Sequence, residues 1–369
     1  MKTILFIFGT RPEAIKLAPV VDACRADFTV KVAVTGQHRQ MLDQVLDFFS
    51  LVPDYDLNIM AEDQSLFDIT TRSLLRIGEI IEETRPDLVI VQGDTTTAFA
   101  GALAGFYRKV KVAHVEAGLR SFNKYSPFPE EMNRIVAGQI ADIHFAPTQG
   151  ARRNLLAENI RDESIFVVGN SVIDALFMGL DRVRKNEATY ARPFAFLTTG
   201  KRMVLVTVHR RESFGRPLDD ICSAIRDISN EDLEIIYPVH LNPHVRKQVF
   251  ARLDGINNVH LIDPVDYPHL LWLMDRSYLV LTDSGGIQEE APSLGKPVLV
   301  LREVTERTEG ITAGTALLAG TTRERIRDMA IRLLTDEAAY AAMSKAVNPY
   351  GDGKSSGRIQ AVLKDLLYI

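Results

Sequence analysis

Short apolar runs alternate with segments of helical periodicity along the whole chain, and this rhythm constrains the fold more than any other feature. The apolar runs lie at 4–8, 30–35, 87–92, 110–115, 143–146, 164–168, 203–208, 233–239, 259–262, 278–282 and 297–301. The helical patterns occupy 12–25, 65–84, 96–107, 129–141, 148–158, 217–228, 243–253, 268–275 and 322–335. Strands that alternate with helices form parallel sheets covered by helices on both faces. The sequence therefore predicts an α/β protein.

The length of 369 residues predicts two domains, since one core seldom serves more than about 250–300 residues. A polar, irregular segment at 182–202 interrupts the rhythm and marks the junction region. We predict a Rossmann-like domain at 1–170, with a C-terminal helix at about 353–369 packed back on it, and a second Rossmann-like domain at 171–352. Ligands of doubly wound sheets bind beyond the carboxyl ends of the strands. The expected active site is the cleft between the two domains.

Composition excludes several classes of protein. Hydrophobic residues make up 46% and charged residues 25%, as is ordinary for a soluble globular chain. A net charge of −5 provides no general basic field, so we expect neither nucleic acid nor a membrane surface as partner. Any anionic ligand must then be held by local arginines and helix ends.

The two cysteines, Cys24 and Cys222, have neither metal-binding nor redox spacing. We therefore expect buried, inert thiols, no metal, no cofactor and a reducing cytoplasm. No apolar stretch approaches the roughly 18 residues that span a bilayer. The apolar start at 4–8 is too short for a signal-peptide core and is predicted to be the first strand.

The segment Thr282–Glu290 combines the end of an apolar run, a Ser-Gly-Gly turn and the start of a helix. Glycines let backbone N–H groups approach a phosphate, and a helix start favours negative charge. Ser284, Gly285 and Gly286 are therefore candidate diphosphate contacts, and the acidic pair that follows, Glu289 and Glu290, is a candidate acceptor for sugar hydroxyl groups. The alternative is a tight turn without a ligand.

The segment Gly9–Lys16 also follows an apolar run and begins a helix, with Thr10 and Glu13 at the spacing of a capping box. Arg11 and Lys16 flank this helix start and are suited to phosphate oxygens. The alternative is two solvated charges on a surface helix.

Three acidic residues stand near neighbouring strand ends and suggest acid–base chemistry. They are Asp94, Glu116 and Glu130, and Glu116 is predicted to share one strand face with His114. The structural alternatives are an N-cap for Asp94 and a helix-dipole contact for Glu130, with Arg134 as its helical ion-pair partner.

In the second half, His209, Arg210 and Arg211 follow one apolar run, and His240 follows the next. A single histidine at a strand end is more often structural, whereas two beside arginines favour a phosphate or sugar site. Arg307 follows the run at 297–301 and is placed to reach a ligand of the Ser284 turn.

Taken together in chain order, these segments resemble the non-hydrolysing UDP-N-acetylglucosamine 2-epimerases of bacteria. The motifs are Gly9–Lys16, Gln92–Thr97, His114–Arg120, Pro127–Glu131, His209–Glu212, Pro238–His240 and Asp283–Pro297. The match runs from about residue 3 to Gly353, nearly the whole chain. It implies two Rossmann-like domains arranged as in GT-B glycosyltransferases, and a homodimer.

The family reaction inverts carbon 2 of the sugar, converting UDP-N-acetylglucosamine (UDP-GlcNAc) to UDP-N-acetylmannosamine (UDP-ManNAc). UDP is eliminated anti to leave 2-acetamidoglucal and adds back syn, with a proton delivered to the opposite face. The resemblance implies groups that take and give protons on both faces of carbon 2, firm retention of UDP, and a product that supplies surface polysaccharide.

By the same resemblance, Asp94, Glu116, Glu130 and His209 are catalytic. The implied contacts of substrate and UDP are Arg11, Lys16, Arg134, Ser284, Gly285, Gly286, Glu290 and Arg307. The residues that resemble a regulatory pocket for a second UDP-GlcNAc molecule are Gln37, Gln40, Gln64, Arg210 and His240. Asp63 stands where several relatives carry arginine, which predicts weaker or altered activation. Which carboxylate is base and which is acid stays open.

Two alternatives remain. A hydrolysing epimerase would release UDP and free N-acetylmannosamine. A GT-B glycosyltransferase would need an acceptor, and a binding protein would show no turnover.

Overall fold

The computed structural model describes residues 1–36, 39–60, 64–229 and 232–368, except for the side chains of Gln40 and Arg211. The chain divides into two compact units, 1–178 with 351–369, and 179–350. The prediction placed the domain boundary at 170/171, whereas the division falls after Met178, because one helix begins in the first unit and ends in the second. Each unit has its own parallel sheet with alternating helices, which confirms the predicted fold class.

The sheet of the first unit is parallel throughout and has the strand order β3-β2-β1-β4-β5-β6-β7. Its strands are β1 Thr3–Phe8, β2 Thr29–Val34, β3 Tyr55–Asp56, β4 Leu88–Gln92, β5 Lys111–Val115, β6 Ile143–Ala146 and β7 Ile165–Val167. The central strand β1 pairs Phe6 with Val32 on one side and Ile90 on the other. Its residues 4–8 are fully buried, as expected for a strand covered on both faces.

The helices of the first unit follow its strands in alternation. They are α1 Arg11–Cys24, α2 Arg39–Phe49, α3 Leu66–Thr84, α4 Thr96–Tyr107, α5 Glu130–Ile140 and α6 Gln149–Ala157. Helix α7, Ser171–Lys185, continues into the second unit. The predicted helices did not include α2 or α7, although both present an apolar stripe at helical spacing.

The sheet of the second unit is also parallel and has the order β10-β9-β8-β11-β12-β13. Its strands are β8 Arg202–Thr207, β9 Leu233–Pro238, β10 Val259–Ile262, β11 Leu279–Thr282, β12 Val298–Val300 and β13 Ala316–Leu318. Its helices are α8 Glu187–Ala191, α9 Arg216–Ile228, α10 Pro243–Leu253, α11 Tyr267–Arg276, α12 Gly285–Glu290, α13 Thr308–Thr312, α14 Arg323–Thr335 and α15 Glu337–Ser344.

The segment at 182–202 was predicted to be irregular, but more than half of it is helical. It contains the end of α7, the helix α8 and a 3-10 turn, Arg192–Phe194. Strands β3 and β13 were not predicted, because two or three residues are too few to show a periodicity.

The last helix, α16 Ser355–Tyr368, belongs to the first unit. Lys364 Nζ lies 2.7 Å from Asp27 Oδ1, and the Tyr368 ring stacks on Phe28 with centroids 5.6 Å apart. The start of α16 is held by Asp174, which accepts hydrogen bonds from the backbone N–H groups of Ser355 and Ser356 at 3.1 and 2.8 Å. These contacts fix α16 against the turn that follows α1 and against α7.

No helix within the described ranges combines the length and apolar character that crossing a membrane would require.

The turn after β5 needs a glycine, and this generates a stability prediction. Gly118 has φ +90°, and a Cβ there would lie 2.3 Å from the Ala151 carbonyl oxygen. Gly200 has nearly the same φ, +91°, but no heavy atom within 4 Å of a built Cβ. We expect Gly200→Ala to cost about 1–2 kcal/mol of unfolding free energy from backbone strain alone, and Gly118→Ala at least about 3 kcal/mol.

Urea unfolding followed by far-ultraviolet circular dichroism measures both variants against the wild type. Because φ is matched, the difference between the two losses reports the steric clash. Equal losses would contradict the close approach of the turn to Ala151.

Candidate active site

Each sheet reverses its strand order at one point, and polar side chains collect there. The reversal lies between β1 and β4 in the first unit and between β8 and β11 in the second. Connections leave such a point in opposite directions and open a crevice at the carboxyl ends of the strands. Some candidate residues follow these strands, while Glu116 follows β5 and Glu130 begins α5, and two groups of site residues result, one in each unit.

Glu116 is the most constrained residue of the first group. It follows β5 with φ 64°, a left-handed conformation that costs a non-glycine residue about 1–3 kcal/mol. Its carboxylate lies 2.6 Å from Lys16 Nζ, accepts a hydrogen bond from Asn170 Nδ2 at 3.2 Å, and accepts another from the Gln92 side chain. Three donor side chains therefore hold one carboxylate at the strand end. Gln92 and Asn170 were not predicted as site residues, because they lie 24 and 54 positions from Glu116 in sequence.

Asp94 follows β4, and the structural alternative proposed for it is wrong. Helix α4 is capped by Thr95, whose Oγ1 accepts from the Ala98 N–H at 3.0 Å. The Asp94 carboxylate instead forms an ion pair with Arg134, and its backbone carbonyl accepts from Asn133 Nδ2 at 3.0 Å. Asp94 is thus held at the strand end by helix α5.

Arg134 does not form the predicted helical ion pair with Glu130. It pairs with Asp94 and, at 3.2 Å, with Glu131. The buried Glu131 carboxylate also accepts from the backbone N–H groups of Ser121 and Phe122, at 3.0 and 2.9 Å. Glu131 is therefore the structural member of the acidic pair.

The Glu130 carboxylate forms no hydrogen bond or ion pair with any residue that the structure describes. Glu130 begins α5 and is partly exposed. Among the three predicted acids, it is the one whose oxygens are not committed to a described neighbour. It can therefore accept a proton or a ligand hydroxyl group without first breaking an ion pair.

The helix start after β1 has the predicted capping box. Glu13 is buried and accepts from the N–H groups of Gly9 and Thr10 at 3.0 and 2.8 Å, and from Thr95 Oγ1 at 2.6 Å. Burial raises the pKa of Glu13, while the hydrogen bonds from Thr95, Gly9 and Thr10 oppose that rise. The Arg11 guanidinium, partly exposed, has no hydrogen bond or ion pair within the described part of the chain.

Contrary to prediction, His114 and Glu116 do not lie on the same face of a strand. The chain turns after β5, so Glu116 leaves the strand, while His114 is fully buried. The His114 Nε2–H group donates to the Gly93 carbonyl at 2.7 Å, and Nδ1 has no partner among the described residues. This contact fixes the backbone one residue before Asp94.

In the second unit, the buried Asp283 connects the two strand ends. Its carboxylate accepts from the backbone N–H groups of His209 and Arg210, the shortest contacts being 3.0 and 2.9 Å, and from Ser213 Oγ at 2.9 Å. The His209 Nδ1 atom lies 3.1 Å from Asp283 Oδ1, which orients the half-exposed ring. Asp283 was part of a recognised motif, yet its role depends on contacts about 70 residues apart in sequence.

Two arginines converge on the Ser284–Gly286 turn. A Cβ added at Gly285 would lie 3.5 Å from Arg307 Cζ and 3.6 Å from Arg210 Nη2. Arg307 Nε lies 2.8 Å from Glu289 Oε1. Glu290, buried four residues after Gly286, accepts from the Tyr267 hydroxyl at 2.8 Å. The Ser284 N–H group donates to Thr282 Oγ1 at 3.0 Å, so the turn offers a phosphate positive charge and the N–H groups at the start of α12.

The residues predicted for a regulatory pocket are only partly described. Gln64 Nε2 donates to the Ile59 carbonyl at 2.7 Å, and His240 Nδ1 accepts from the Asn242 N–H at 3.1 Å. Gln37 and Asp63 lie outside the described residues, and so does the side chain of Gln40.

Metal ligands and reactive thiols are not part of either group. Among the described residues, no three His, Cys, Asp or Glu side chains are placed to hold a metal ion. Cys24 and Cys222 are fully buried, and burial raises the pKa of both thiols to about 12. The groups described in the two units are carboxylates, which can transfer protons, and arginines, which can bind anions.

Comparison with known proteins identifies relatives of this chain. The family model for UDP-N-acetylglucosamine 2-epimerase matches residues 22–364. The UDP-N-acetylglucosamine 2-epimerases of Salmonella typhimurium and Escherichia coli K12 are 56% and 54% identical, each alignment covering 98% of both chains. The crystal structure of UDP-GlcNAc 2-epimerase from Neisseria meningitidis bound to UDP-GlcNAc is 44% identical, covers 100% of both chains and has a TM-score of 0.90.

The buried histidine beside Asp94 predicts an acid-sensitive fold. Burial lowers the pKa of His114 from 6.5 to about 4. The unfolded chain then binds the extra proton between these values, so stability falls as pH decreases from about 6.5 to 4, by up to about 3 kcal/mol from this group. His114→Gln, which keeps a donor but cannot titrate, should lose that part of the pH dependence.

Urea midpoints measured at several pH values between 7 and 4 test this, with the exposed His244→Gln as control. His244→Gln should retain the slope of the wild type. An unchanged slope in His114→Gln would contradict the neutral, buried state of His114.

Proposed function

Because the chain belongs to the UDP-N-acetylglucosamine 2-epimerase family, we propose that it interconverts UDP-GlcNAc and UDP-ManNAc without hydrolysis. The observation that carries the proposal is the set of carboxylates at the strand ends of the first unit, Asp94, Glu116 and Glu130. Inversion of carbon 2 needs a base on one face of the sugar and an acid on the other.

Proton transfer is assigned to the first unit. Lys16 pairs with Glu116 and Arg134 pairs with Asp94, so each of these two carboxylates is held in place by a cation. The Glu130 carboxylate has no hydrogen bond or ion pair with a described residue. We propose that Asp94 serves one step and that Glu116 or Glu130 serves the other.

Retention of UDP is assigned mainly to the second unit. The diphosphate is bound by Arg307, by His209 and by the turn of Ser284, Gly285 and Gly286. Glu290 binds the ribose. Arg11 adds a cation without a described partner, and Lys16 and Arg134 line the sugar. Cations that face the diphosphate stabilise the negative charge that develops as UDP departs.

The proposed reaction has two balanced halves. A carboxylate removes the proton from carbon 2 while the bond between carbon 1 and the diphosphate oxygen breaks, and UDP leaves with the electron pair. The product is 2-acetamidoglucal. UDP then adds back to carbon 1, and an acid delivers a proton to the opposite face of carbon 2. No cofactor or metal is needed.

The proposal also covers the oligomeric state, the cellular location and the use of the product. We propose a homodimer that works in the cytoplasm and supplies N-acetylmannosamine units for surface polysaccharide. The 44% identical relative was crystallised with UDP-GlcNAc, which supports this nucleotide sugar as substrate.

The first prediction of this proposal concerns isotope exchange. In deuterated water, the protein should convert UDP-GlcNAc to UDP-ManNAc carrying deuterium at carbon 2, with no free sugar, because every turnover passes through loss and return of that proton. Proton NMR followed over time measures both products. Free N-acetylmannosamine would identify a hydrolysing epimerase instead, and no change would leave glycosyl transfer or binding alone.

In the same assay, Asp94→Asn should lower exchange at carbon 2 at least about 100-fold, since an amide neither accepts nor donates a proton at a useful pKa. Asp162→Asn, which removes an exposed carboxylate paired with Arg152, is the control and should exchange at the wild-type rate. Full exchange by Asp94→Asn would remove Asp94 from the assignment.

A second prediction concerns activation by substrate. We propose that Gln37, Gln40, Gln64, Arg210 and His240 form a pocket for a second UDP-GlcNAc molecule. Asp63 places a carboxylate where several relatives have arginine, and a carboxylate repels a diphosphate. Titrating UDP-GlcNAc into the reverse reaction should therefore show weak or altered activation. Asp63→Arg should strengthen it, and sharp activation of the wild type would contradict the argument.

A further inference from the structure

One carboxylate in the second unit lies among three guanidinium groups, and no role was predicted for it. Glu306 Oε2 lies 2.7 Å from Arg302 Nη1. Its other oxygen, Oε1, lies 3.3 Å from Arg210 Nη2 and 3.3 Å from Arg307 Nη1. Glu306 therefore connects Arg210 and Arg307, the two arginines beside Gly285, to a third arginine, Arg302.

The short contact identifies the anchor of this cluster. Arg302 is nearly buried, with 10% of its side chain exposed, and its Nε atom also contacts Glu212 Oε1 at 2.6 Å. A guanidinium held by two carboxylates has little freedom to move. Arg302 thus fixes the Glu306 carboxylate through the short contact, and the longer contacts join Glu306 to Arg210 and Arg307.

The Glu306 carboxylate offsets the repulsion between two neighbouring arginines. The guanidinium groups of Arg210 and Arg307 both lie within contact distance of a Cβ built on Gly285, so their positive charges repel each other. A shared carboxylate between them offsets the repulsion before any ligand arrives. Although burial alone would raise the pKa of Glu306, the charges of Arg307 and Arg302 lower it to about 2, so the bridging charge is present at neutral pH.

We propose that Glu306 is a positioning residue that holds Arg210 and Arg307 side by side at the Ser284–Gly286 turn, ready for a diphosphate. This role rests on the proposed function, since the diphosphate is that of UDP. It adds a contact with that diphosphate for Arg210, which the proposed function places in the regulatory pocket. Glu306 touches no reacting atom in this role. It acts through the arginines, by reducing the ordering that they must undergo when the diphosphate binds.

The test is Glu306→Gln, which keeps the shape of the side chain and removes its charge. Without the bridging charge, Arg210 loses its ion pair beside Arg307, whose Nε atom Glu289 still holds at 2.8 Å. UDP should therefore bind about 10-fold more weakly, and KM for UDP-GlcNAc should rise while kcat changes less than about 2-fold. Isothermal titration calorimetry with UDP measures binding without requiring turnover. Glu306→Asp, which retains the charge, should recover at least part of the loss.

Glu303→Gln is the matched control. Glu303 lies on the same connection, but its carboxylate accepts from the Thr321 N–H and hydroxyl groups at 2.9 and 2.8 Å, and no ion pair joins it to the three arginines in the described structure. This variant should bind UDP as the wild type does.

The outcomes separate the two proposals. If the wild type binds UDP and Glu306→Gln binds it equally well or more tightly, the positioning role is wrong. The carboxylate then either has no effect on UDP affinity or competes with the diphosphate for the arginines. If Glu306→Gln lowers the melting temperature without changing UDP affinity, its role is structural and the proposal also fails. If the wild type does not bind UDP, the proposed function fails and the role of Glu306 fails with it.

Discussion

Burial of the central strands on both faces determines where chemistry can be placed in this protein. Strands β1, β4 and β11 contain no charged residue, and residues 4–8 are fully inaccessible. An unpaired charge in such a strand would cost far more than the strand gains from packing. Charged side chains therefore follow the strands, at the carboxyl ends, where the chain turns towards the next helix.

Several charges at those ends are held by opposite charge or by hydrogen-bond donors, whereas Arg11 and Glu130 have no such partner among the described residues. Lys16 and Asn170 hold Glu116, Arg134 holds Asp94, and the backbone N–H groups after β8 hold Asp283. These contacts connect elements distant in sequence, so the same pairs that orient the side chains also tie the turns together. Removing one partner would leave a partly buried charge uncompensated, which is more costly than the loss of the contact alone.

The two units use the same topology for different chemistry. Both sheets share one strand order apart from the additional strand β7, and both collect polar residues at the reversal point. In the first unit the reversal is rich in carboxylates, with Lys16 and Arg134 as their partners. In the second, arginines converge on the turn at Gly285, and Glu306 offsets their mutual repulsion. The proton transfer and anion binding that we propose depend on the side chains that each unit adds to a common frame.

The sequence by itself determined the α/β class and most of the strands, because burial on both faces produces apolar runs that are visible without any knowledge of contacts. It also determined which residue types stand at the strand ends, including the capping box of Thr10 and Glu13, which depends only on local spacing. Very short strands such as β3 and β13 leave no such pattern.

Only the tertiary structure decided which partner each charge has. Local spacing suggested Glu130 for Arg134 and a cap for Asp94, whereas the fold pairs Arg134 with Asp94, 40 residues away, and leaves the cap to Thr95. The left-handed turn that separates Glu116 from His114, and the three arginines around Glu306, likewise depend on contacts between distant elements. The physical reason is that periodicity reports which side of an element is buried, while the choice of an ionic partner depends on distances that exist only after the sheets have formed.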